Sequence, residues 1–175
     1  IAGAGAIGGW IAGLLAEGGN AVSLYARGET LAALQANGLR IRRNDTETVY
    51  RLNASNDAAA LGAQDVVVIA TKGQGIPAIA PAVKALCGEN TLVVPAVNVI
   101  PWWFFQMNAV PLSGTALSSV DPHGEIARAI AFARVIGCVV HASAWMPEPL
   151  LVQVNGEDKL ILGEPDGRSS ERCKN

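Results

Sequence analysis

The sequence predicts an α/β fold in which helices cover both faces of a doubly wound, mainly parallel sheet. Gly3, Gly5 and Gly8 have the spacing G-x-G-x-x-G, and a helical apolar pattern follows them directly. Short apolar runs at 21–26 and 66–70 read as buried parallel strands, and helical patterns come after them. Half of the residues are hydrophobic and 16% are charged, which excludes a disordered chain.

Each glycine of the motif has a mechanical role in a turn between a strand and a helix. Gly3 allows the tight turn, Gly5 lets backbone N–H groups approach a pyrophosphate, and Gly8 lets the helix pack close to the strand. The pyrophosphate would lie at the helix N-terminus, where unpaired N–H groups favour an anion. The motif alone is a weak signal, but in this context it predicts a Rossmann-like dinucleotide site.

Arg27 indicates which dinucleotide is preferred. It stands at the end of the second predicted strand, 22 residues after Gly5. An NAD-specific fold usually has Asp or Glu there to hold the ribose 2′-OH, whereas an arginine suits a 2′-phosphate. The predicted cofactor is therefore NADP(H); the alternative is that Arg27 is a solvated charge at a strand end.

Composition narrows the class of protein further. A chain of 175 residues is one domain's worth, and a net charge of −2 without a basic run argues against nucleic acid or an anionic membrane as the main partner. The longest apolar region, 92–105, is interrupted by Pro and Asn and is too short to span a membrane. The three cysteines have no C-x-x-C spacing, so we expect no metal site, no disulfide framework and a cytoplasmic setting.

Both ends of the chain suggest a longer protein. Only Ile1 and Ala2 precede Gly3, whereas a first strand needs about five apolar residues. The last residues are polar and stop where a further helix would begin. We therefore expect a dinucleotide-binding domain over 1–167 and the start of a link to another domain over 168–175.

The remaining elements follow from periodicity and turn residues. Gly38 is expected to end the second helix as a left-handed cap, and Asp121 with Pro122 to begin a helix that runs to about residue 132. The other predicted elements are helices over 29–37 and 77–86, a helical turn over 57–61, strands over 91–94 and 135–140, and β-hairpins over 39–52 and 146–162.

Lys72 and Asn98 follow predicted strands, at the sheet edge where open α/β folds bind their ligands. Lys72 could hold a ribose or phosphate, or assist a substrate carbonyl; the alternative is an ordinary exposed lysine. Asn98 lies between two valines and needs hydrogen-bond partners. It could bridge the nicotinamide and a substrate oxygen, or it could stabilise its loop through backbone groups.

Other reactive or aromatic residues have structural interpretations. The aromatic run 102–105 is expected to pack beneath the nicotinamide loop. His123 is expected to be solvated and His141 to be a satisfied polar residue, because neither has a partner at ligand spacing. No serine or cysteine has the context of a nucleophile elbow.

Several segments together resemble one known family. They are Gly3–Gly9, Tyr25–Gly28, Ala70–Lys72, Asn98 with Ile100–Trp103, Val120–Pro122, Ile136–Val140 and Leu162–Gly167. On these segments the sequence resembles the ketopantoate reductases, also called 2-dehydropantoate 2-reductases, over essentially its whole length. The glycine loop is shared by many dehydrogenases, whereas the segments 98–103 and 163–167 are more specific.

The resemblance implies an oxidoreductase that reduces 2-dehydropantoate to pantoate with NADPH, in pantothenate biosynthesis. Arg27 would bind the 2′-phosphate, Lys72 the cofactor ribose, and Asn98 both the nicotinamide end and the substrate. Ser143 falls where the family has a backbone contact to the cofactor. The residues that would hold the pyrophosphate are Gly3, Ala4, Gly5, Ala6, Ile7 and Gly8.

The sequence departs from the family in two respects. Val99 stands where the family usually has glycine, and a β-branched residue neither takes a positive φ cheaply nor leaves room for a ligand. In the family a C-terminal helical domain supplies the general-acid lysine and most groups that bind the 2-oxo acid. Without that partner domain we expect no catalytic residue in this chain and little or no activity; a homodimer is left open.

Two other interpretations remain. One is a non-catalytic NADP(H)-binding module or a remnant of an enzyme. The other is a different two-domain dehydrogenase that acts on 2-oxo acids or opines, against which the Trp102–Trp103 segment favours a ketopantoate reductase.

Overall fold

The computed structural model describes residues 1–107, 112–156 and 158–174. The strands are β1 (Ser23–Tyr25), β2 (Leu39–Arg43), β3 (Thr46–Tyr50), β4 (Asn53–Ser55), β5 (Gln64–Ile69), β6 (Cys87–Pro95), β7 (Gly137–His141), β8 (Ala144–Glu148), β9 (Leu151–Val154) and β10 (Lys159–Gly163). The helices are α1 (Ala6–Glu17), α2 (Gly28–Asn37), α3 (Ala58–Leu61), α4 (Ile76–Ala85), α5 (Glu125–Ala129) and α6 (Glu171–Lys174). Within these ranges no helix has the length and apolar character needed to cross a membrane.

A parallel sheet forms the centre of the fold. β1 pairs with β4 and β5 pairs with β6, all in parallel. Ala2 joins the two pairs, because it bridges Tyr25 on one side and Ile69 on the other. The resulting order is β4-β1-(Ile1–Ala2)-β5-β6, and Val135 adds a parallel bridge at the free edge of β6.

Successive residues of the central strands pack into different layers, because side chains alternate across a sheet. Val68 belongs to the cluster that includes Ile11 of α1, whereas Ile69 belongs to the cluster that includes Ile79 and Val83 of α4. Helices therefore cover both faces, as the doubly wound prediction requires.

A second sheet, of order β3-β2-β9-β8, packs on α1. The predicted hairpin over 39–52 is confirmed as β2 and β3, which pair antiparallel around Asn44 and Asp45. Glycines of α1 permit the contact with this sheet. A Cβ on Gly9 would lie 2.8 Å from Val152 Cγ2, and one on Gly13 would lie 2.0 Å from Ile41 Cδ1.

The predicted hairpin over 146–162 is wrong. β9 pairs with β8, Ala144 lying opposite Val154, and on its other side it pairs in parallel with β2. β10 pairs instead with β7, antiparallel from Lys159 opposite His141 to Gly163 opposite Gly137. Both runs have strand character, but their partners are decided by the residues on either side, which an apolar pattern does not specify.

The helix predicted to begin at Asp121 is also shorter than expected. It covers only Glu125–Ala129, with Gly124 at its N-cap in a left-handed conformation (φ 64°). The Asp121 carboxylate still caps it from the preceding turn, accepting bonds from the backbone N–H groups of Ile126 (3.1 Å) and Ala127 (3.0 Å).

Two smaller expectations also need correction. Gly38 does end α2 with a positive φ of 78°, but its ψ of −179° lies outside the left-handed helical region. In the strand predicted over 135–140 only the two ends are buried, and Val139 is 47% exposed on the outer face of the β7–β10 pair.

Candidate functional site

Two adjoining hollows form one cleft at the carboxyl ends of the central strands, and Gly3, Gly5 and Thr71 line both of them. Arg27 and Thr30 lie at one end of the cleft, on the side of β1 and α2. The other end lies over β5 and β6 and is lined by Ala6, Ile7, Lys72–Gln74, Ala96–Val99, Val140 and Ala142. This is the edge at which open α/β sheets bind ligands.

The three glycines of the motif have different surroundings. Gly3 has a φ of 110°, and a Cβ there would lie 2.9 Å from Thr71 Cγ2. A Cβ on Gly8 would lie 1.9 Å from the carbonyl oxygen of Gly3, so this contact between helix and turn requires glycine. Around Gly5 nothing lies within 4 Å of the Cβ position, which leaves its backbone open to the cleft.

The N-terminus of α1 meets the cleft without a protein cap. Gly5 is the N-cap residue and has no side chain to accept a hydrogen bond, and the first turn contains no acidic residue. Backbone N–H groups at such a terminus lack intrahelical partners and, together with the helix dipole, attract an anion.

Arg27 is exposed at the N-cap position of α2 and lines the cleft next to Thr30. In the described part of the chain its guanidinium makes no hydrogen bond or ion pair, unlike Arg40 and Arg43, which hold glutamates. Arg27 is therefore available to an anionic ligand at this end.

Lys72 is exposed at the end of β5, on the other side of the glycine turn. Its carbonyl accepts a bond from the N–H of Gly75 (2.7 Å), which fixes the turn that follows the strand. The preceding residue, Thr71, was not singled out from the sequence. Its Oγ1 is buried and has no hydrogen-bond partner within the described residues, although the residue lines both hollows.

Asn98 makes a pair of hydrogen bonds to β7. Its Nδ2 donates to the carbonyl of Val140 (2.8 Å), and its Oδ1 accepts from the N–H of the same residue (3.0 Å). These bonds match the alternative in which the amide stabilises its loop through backbone groups. Asn98 also lines the cleft, where one amide hydrogen and one oxygen lone pair remain for a ligand.

The neighbouring Val99 has an ordinary backbone. Positive φ values among described non-glycine residues occur at Asn44, Leu112 and Leu150, so Val99 does not need the conformation that favours glycine. Its side chain is 48% exposed and lines the cleft, where it would contact a ligand that enters between Asn98 and Gly73.

Ser143 and the histidines lie outside the two hollows. The N–H of Ser143 donates to Asp158 Oδ1 (2.9 Å), and it is Ala142 that lines the cleft. His123 and His141 are both exposed. Within the described residues, no three His, Cys, Asp or Glu side chains are grouped as a metal site would require.

The aromatic run is buried only in part. Trp102 is 4% exposed and belongs to the core, and Trp103 packs against Phe132 with ring centroids 6.1 Å apart. Phe104 is 43% exposed. The expectation of a packed aromatic cluster beneath the loop therefore holds for the first two residues and not for Phe104.

A family model described as "Ketopantoate reductase PanE/ApbA" matches residues 1–101, which contain the glycine turn, Arg27, Lys72 and Asn98. The chain belongs to this family. Ketopantoate reductases are NAD(P)-dependent oxidoreductases, and the confirmed elements are those of a Rossmann-like domain.

Two relatives match almost all of this chain. A 2-dehydropantoate 2-reductase of Mesorhizobium japonicum is 42% identical over 173 residues, which are 98% of this chain and 53% of that protein. A crystal structure of a putative ketopantoate reductase from Ralstonia solanacearum is 44% identical with a TM-score of 0.94, and the match covers 99% of this chain and 54% of the other. The chain thus spans about half the length of the relatives that it matches.

A more distant structure agrees in fold. The 2-dehydropantoate 2-reductase of Geobacter metallireducens is 22% identical with a TM-score of 0.76, over 99% of this chain and 51% of the other. At this identity the comparison supports only the fold.

Proposed function

We propose that this chain is the NADP(H)-binding half of an enzyme that reduces 2-dehydropantoate to pantoate. The observation that carries the proposal is the continuous cleft that joins Arg27, the uncapped N-terminus of α1 and Lys72. A dinucleotide phosphate has negative charge at its 2′-phosphate and its pyrophosphate, and the cleft presents a cation or free N–H groups at corresponding points.

The residues present fit the cofactor. Gly5 has no neighbour within 4 Å of its Cβ position, so a pyrophosphate has room to approach the backbone N–H groups there. Arg27 would form charge-assisted bonds with a 2′-phosphate, and Lys72 would bind a ribose. The unused hydrogen and lone pair of Asn98 would orient the carboxamide of the nicotinamide ring.

When bound, the cofactor supplies the hydride for the 2-oxo carbon of the substrate. The described residues would orient the cofactor. The possible general acids that line the cleft are Lys72, whose proposed role is to bind the ribose, and Tyr25, which lies at the Arg27 end and not at the Asn98 end. The resemblance places the proton-donating lysine and most of the substrate site in a C-terminal helical domain. Loss of a general acid typically costs a factor of about 10² to 10⁴, so we propose that these 175 residues have little activity alone.

The first experiment is to titrate the chain with NADPH and with NADH and to follow the fluorescence of the reduced nicotinamide. The Arg27→Ala variant should bind NADPH about 5- to 150-fold more weakly, since a charge-assisted contact contributes about 1–3 kcal/mol. Its affinity for NADH, which lacks the 2′-phosphate, should change little.

Arg51→Ala is the matched control, because Arg51 is also an exposed arginine but does not line the cleft. This variant should bind both nucleotides like the original chain. Equal weakening of NADPH and NADH by Arg27→Ala would contradict the assignment of the 2′-phosphate to Arg27, and absence of binding by the original chain would contradict the cofactor site itself.

A non-catalytic NADP(H)-binding module is the second candidate function. It shares with the first candidate the cleft whose lining residues would bind a cofactor. Such a module would bind NADPH as proposed but would not support turnover when it is joined to the remaining half of a relative.

A further inference from the structure

The Arg27 end of the cleft has a wall that comes from outside the central parallel sheet. Met146, in β8 of the second sheet, lines the same hollow as Arg27 and Thr30. Ile79 of α4 also lines this hollow and belongs to the core on the other face of the central sheet. Apolar side chains from two different layers therefore meet at this end of the cleft.

Strand alternation explains why Met146 faces inwards. Around the start of β8 every second side chain packs against the core cluster that includes Ile11 of α1, and these residues are Ala142, Ala144 and Met146. Trp145 lies between them in sequence and is 43% exposed on the opposite face. Ala142 lines the hollow at the Asn98 end of the cleft. The inner face of this segment thus lies beside both ends of the cleft.

The proposed function, on which this inference rests, determines which part of the cofactor would lie beside Met146. The 2′-phosphate is attached to the ribose that carries adenine. A cofactor whose 2′-phosphate meets Arg27 therefore has its adenosine half in the same hollow. The ribose and the phosphate need polar partners, whereas the two faces of the flat adenine ring can lie against apolar side chains.

Met146 has side-chain surface available for such a ring. Ile79 is only 4% exposed, so most of its surface is already used by the core. Met146 is partly exposed. A methionine side chain is also unbranched and adaptable, and its polarizable sulfur makes favourable contacts with aromatic rings.

We propose that Met146 binds the adenine ring of the cofactor and so makes the second sheet part of the dinucleotide site. The thioether lies against one face of the base, while Arg27 holds the 2′-phosphate. Because NADH and NADPH have the same base, Met146 contributes equally to the binding of both. Arg27 distinguishes between them, and Met146 does not.

Titration of variants with NADPH and with NADH tests this division. Met146→Ala should weaken the binding of both nucleotides by a similar factor of about 2- to 10-fold, the range expected for a lost contact between sulfur and an aromatic ring. Met146→Leu keeps an apolar side chain of similar size and should lose less. Trp145→Ala is the matched control, because Trp145 is the adjacent residue on the opposite face of β8, and it should leave both affinities unchanged.

The outcomes separate this inference from the proposed function. Unchanged affinities in Met146→Ala would overturn the inference, and so would equal weakening by Trp145→Ala, since the effect would then come from β8 as a whole. In both cases a selective loss of NADPH affinity in Arg27→Ala would still support the proposed function. An original chain that binds neither nucleotide would overturn both.

Methyl NMR spectroscopy tests the contact itself. The sequence has two methionines, and Met107 lines a different hollow, next to Trp103. In a chain labelled with carbon-13 at the methionine methyl groups, adenosine 2′,5′-bisphosphate should shift the Met146 resonance through the ring current of adenine and leave that of Met107 in place. Met146→Leu identifies the resonance. A Met146 resonance that does not move at a saturating concentration, or that moves no more than that of Met107, would overturn the inference.

Discussion

Gly5 and Gly8 perform different tasks although only two residues separate them. A Cβ on Gly8 would overlap the carbonyl of Gly3, whereas a Cβ on Gly5 would project into open space. The spacing of the motif predicts both positions, but only the packing of α1 against the turn shows which glycine the fold requires. The other one is left for a ligand.

Replacing each of these glycines with alanine should separate stability from binding. Gly8→Ala should lower the free energy of unfolding by about 3 kcal/mol, because the methyl group displaces the helix from the turn. Gly5→Ala should change stability by less than about 1 kcal/mol and yet weaken NADPH binding, since its methyl group occupies the approach to the N–H groups. Urea unfolding and nucleotide titration of both variants measure this difference; equal stability losses would contradict it.

Glu164 and Arg172 tie the last helix to the domain. The guanidinium donates to the Glu164 carboxylate and to the carbonyl oxygens of Ala133 and Val135. The Glu164 side chain is 7% exposed. Its pKa is lowered to about 2, mainly by the hydrogen bonds from Arg172 and to a smaller extent by the one from Ser170. Because the folded pKa is depressed, the carboxylate stabilises the fold above its unfolded pKa of about 4.5.

Glu164→Gln should therefore cost about 1–3 kcal/mol at pH 7, a range that allows for the partial exposure of Arg172. The difference in unfolding free energy between the two chains should stay constant above about pH 5 and shrink as the pH falls from about 4.5 towards 2. Urea unfolding at pH 7, 4 and 3 measures it. Glu171→Gln is the control, since Glu171 is exposed and pairs with Lys174 at the surface; a difference that does not change with pH would contradict the role of Glu164.

At the scale of elements, turn residues and apolar patterns predict the strands, but they predict the pairing of strands only in part. The Asn44–Asp45 turn joins strands that are adjacent in sequence, and the hairpin formed there as predicted. β9 and β10 also follow one another in the sequence, yet they do not pair with each other: β9 pairs with β8 and β2, and β10 pairs with β7. The same holds for the candidate site. Asn98 bonds to Val140, 42 residues further along the chain, and no sequence pattern links the two residues.

The cap of α5 joins residues that are five and six positions apart in the sequence. Asp121 is 6% exposed, and its carboxylate accepts bonds from two N–H groups at the start of the helix. Asp121→Ala should lower the free energy of unfolding by about 1–2 kcal/mol, because both N–H groups lose their partner. Asp121→Asn keeps one acceptor oxygen and should lose less. Thermal unfolding of the two variants ranks them, and an Asp121→Ala variant as stable as the original chain would contradict the role of the carboxylate as the cap.

At the scale of the whole molecule, the described residues form a cleft at the carboxyl ends of the central strands, and the chain spans about half of the relatives that it matches. The described residues that line the cleft include two cations, Arg27 and Lys72, which the proposed function assigns to the cofactor. Under the proposed function, activity is then a property of two halves together. Cofactor affinity resides largely in this one.

A chimaera tests that division of labour. This chain, joined to the remaining half of the Mesorhizobium relative that is 42% identical, should reduce 2-dehydropantoate with NADPH at least about 10²-fold faster than the chain alone. Arg27→Ala in the chimaera should raise the KM for NADPH and leave kcat nearly unchanged, because the 2′-phosphate lies far from the reacting carbon and its contact is equal in the ground and transition states. Both KM and kcat are measured from the loss of NADPH absorbance during turnover. The remaining half of the relative, assayed alone, is the control. A chimaera that binds NADPH as tightly as this chain but does not turn over would favour the non-catalytic module.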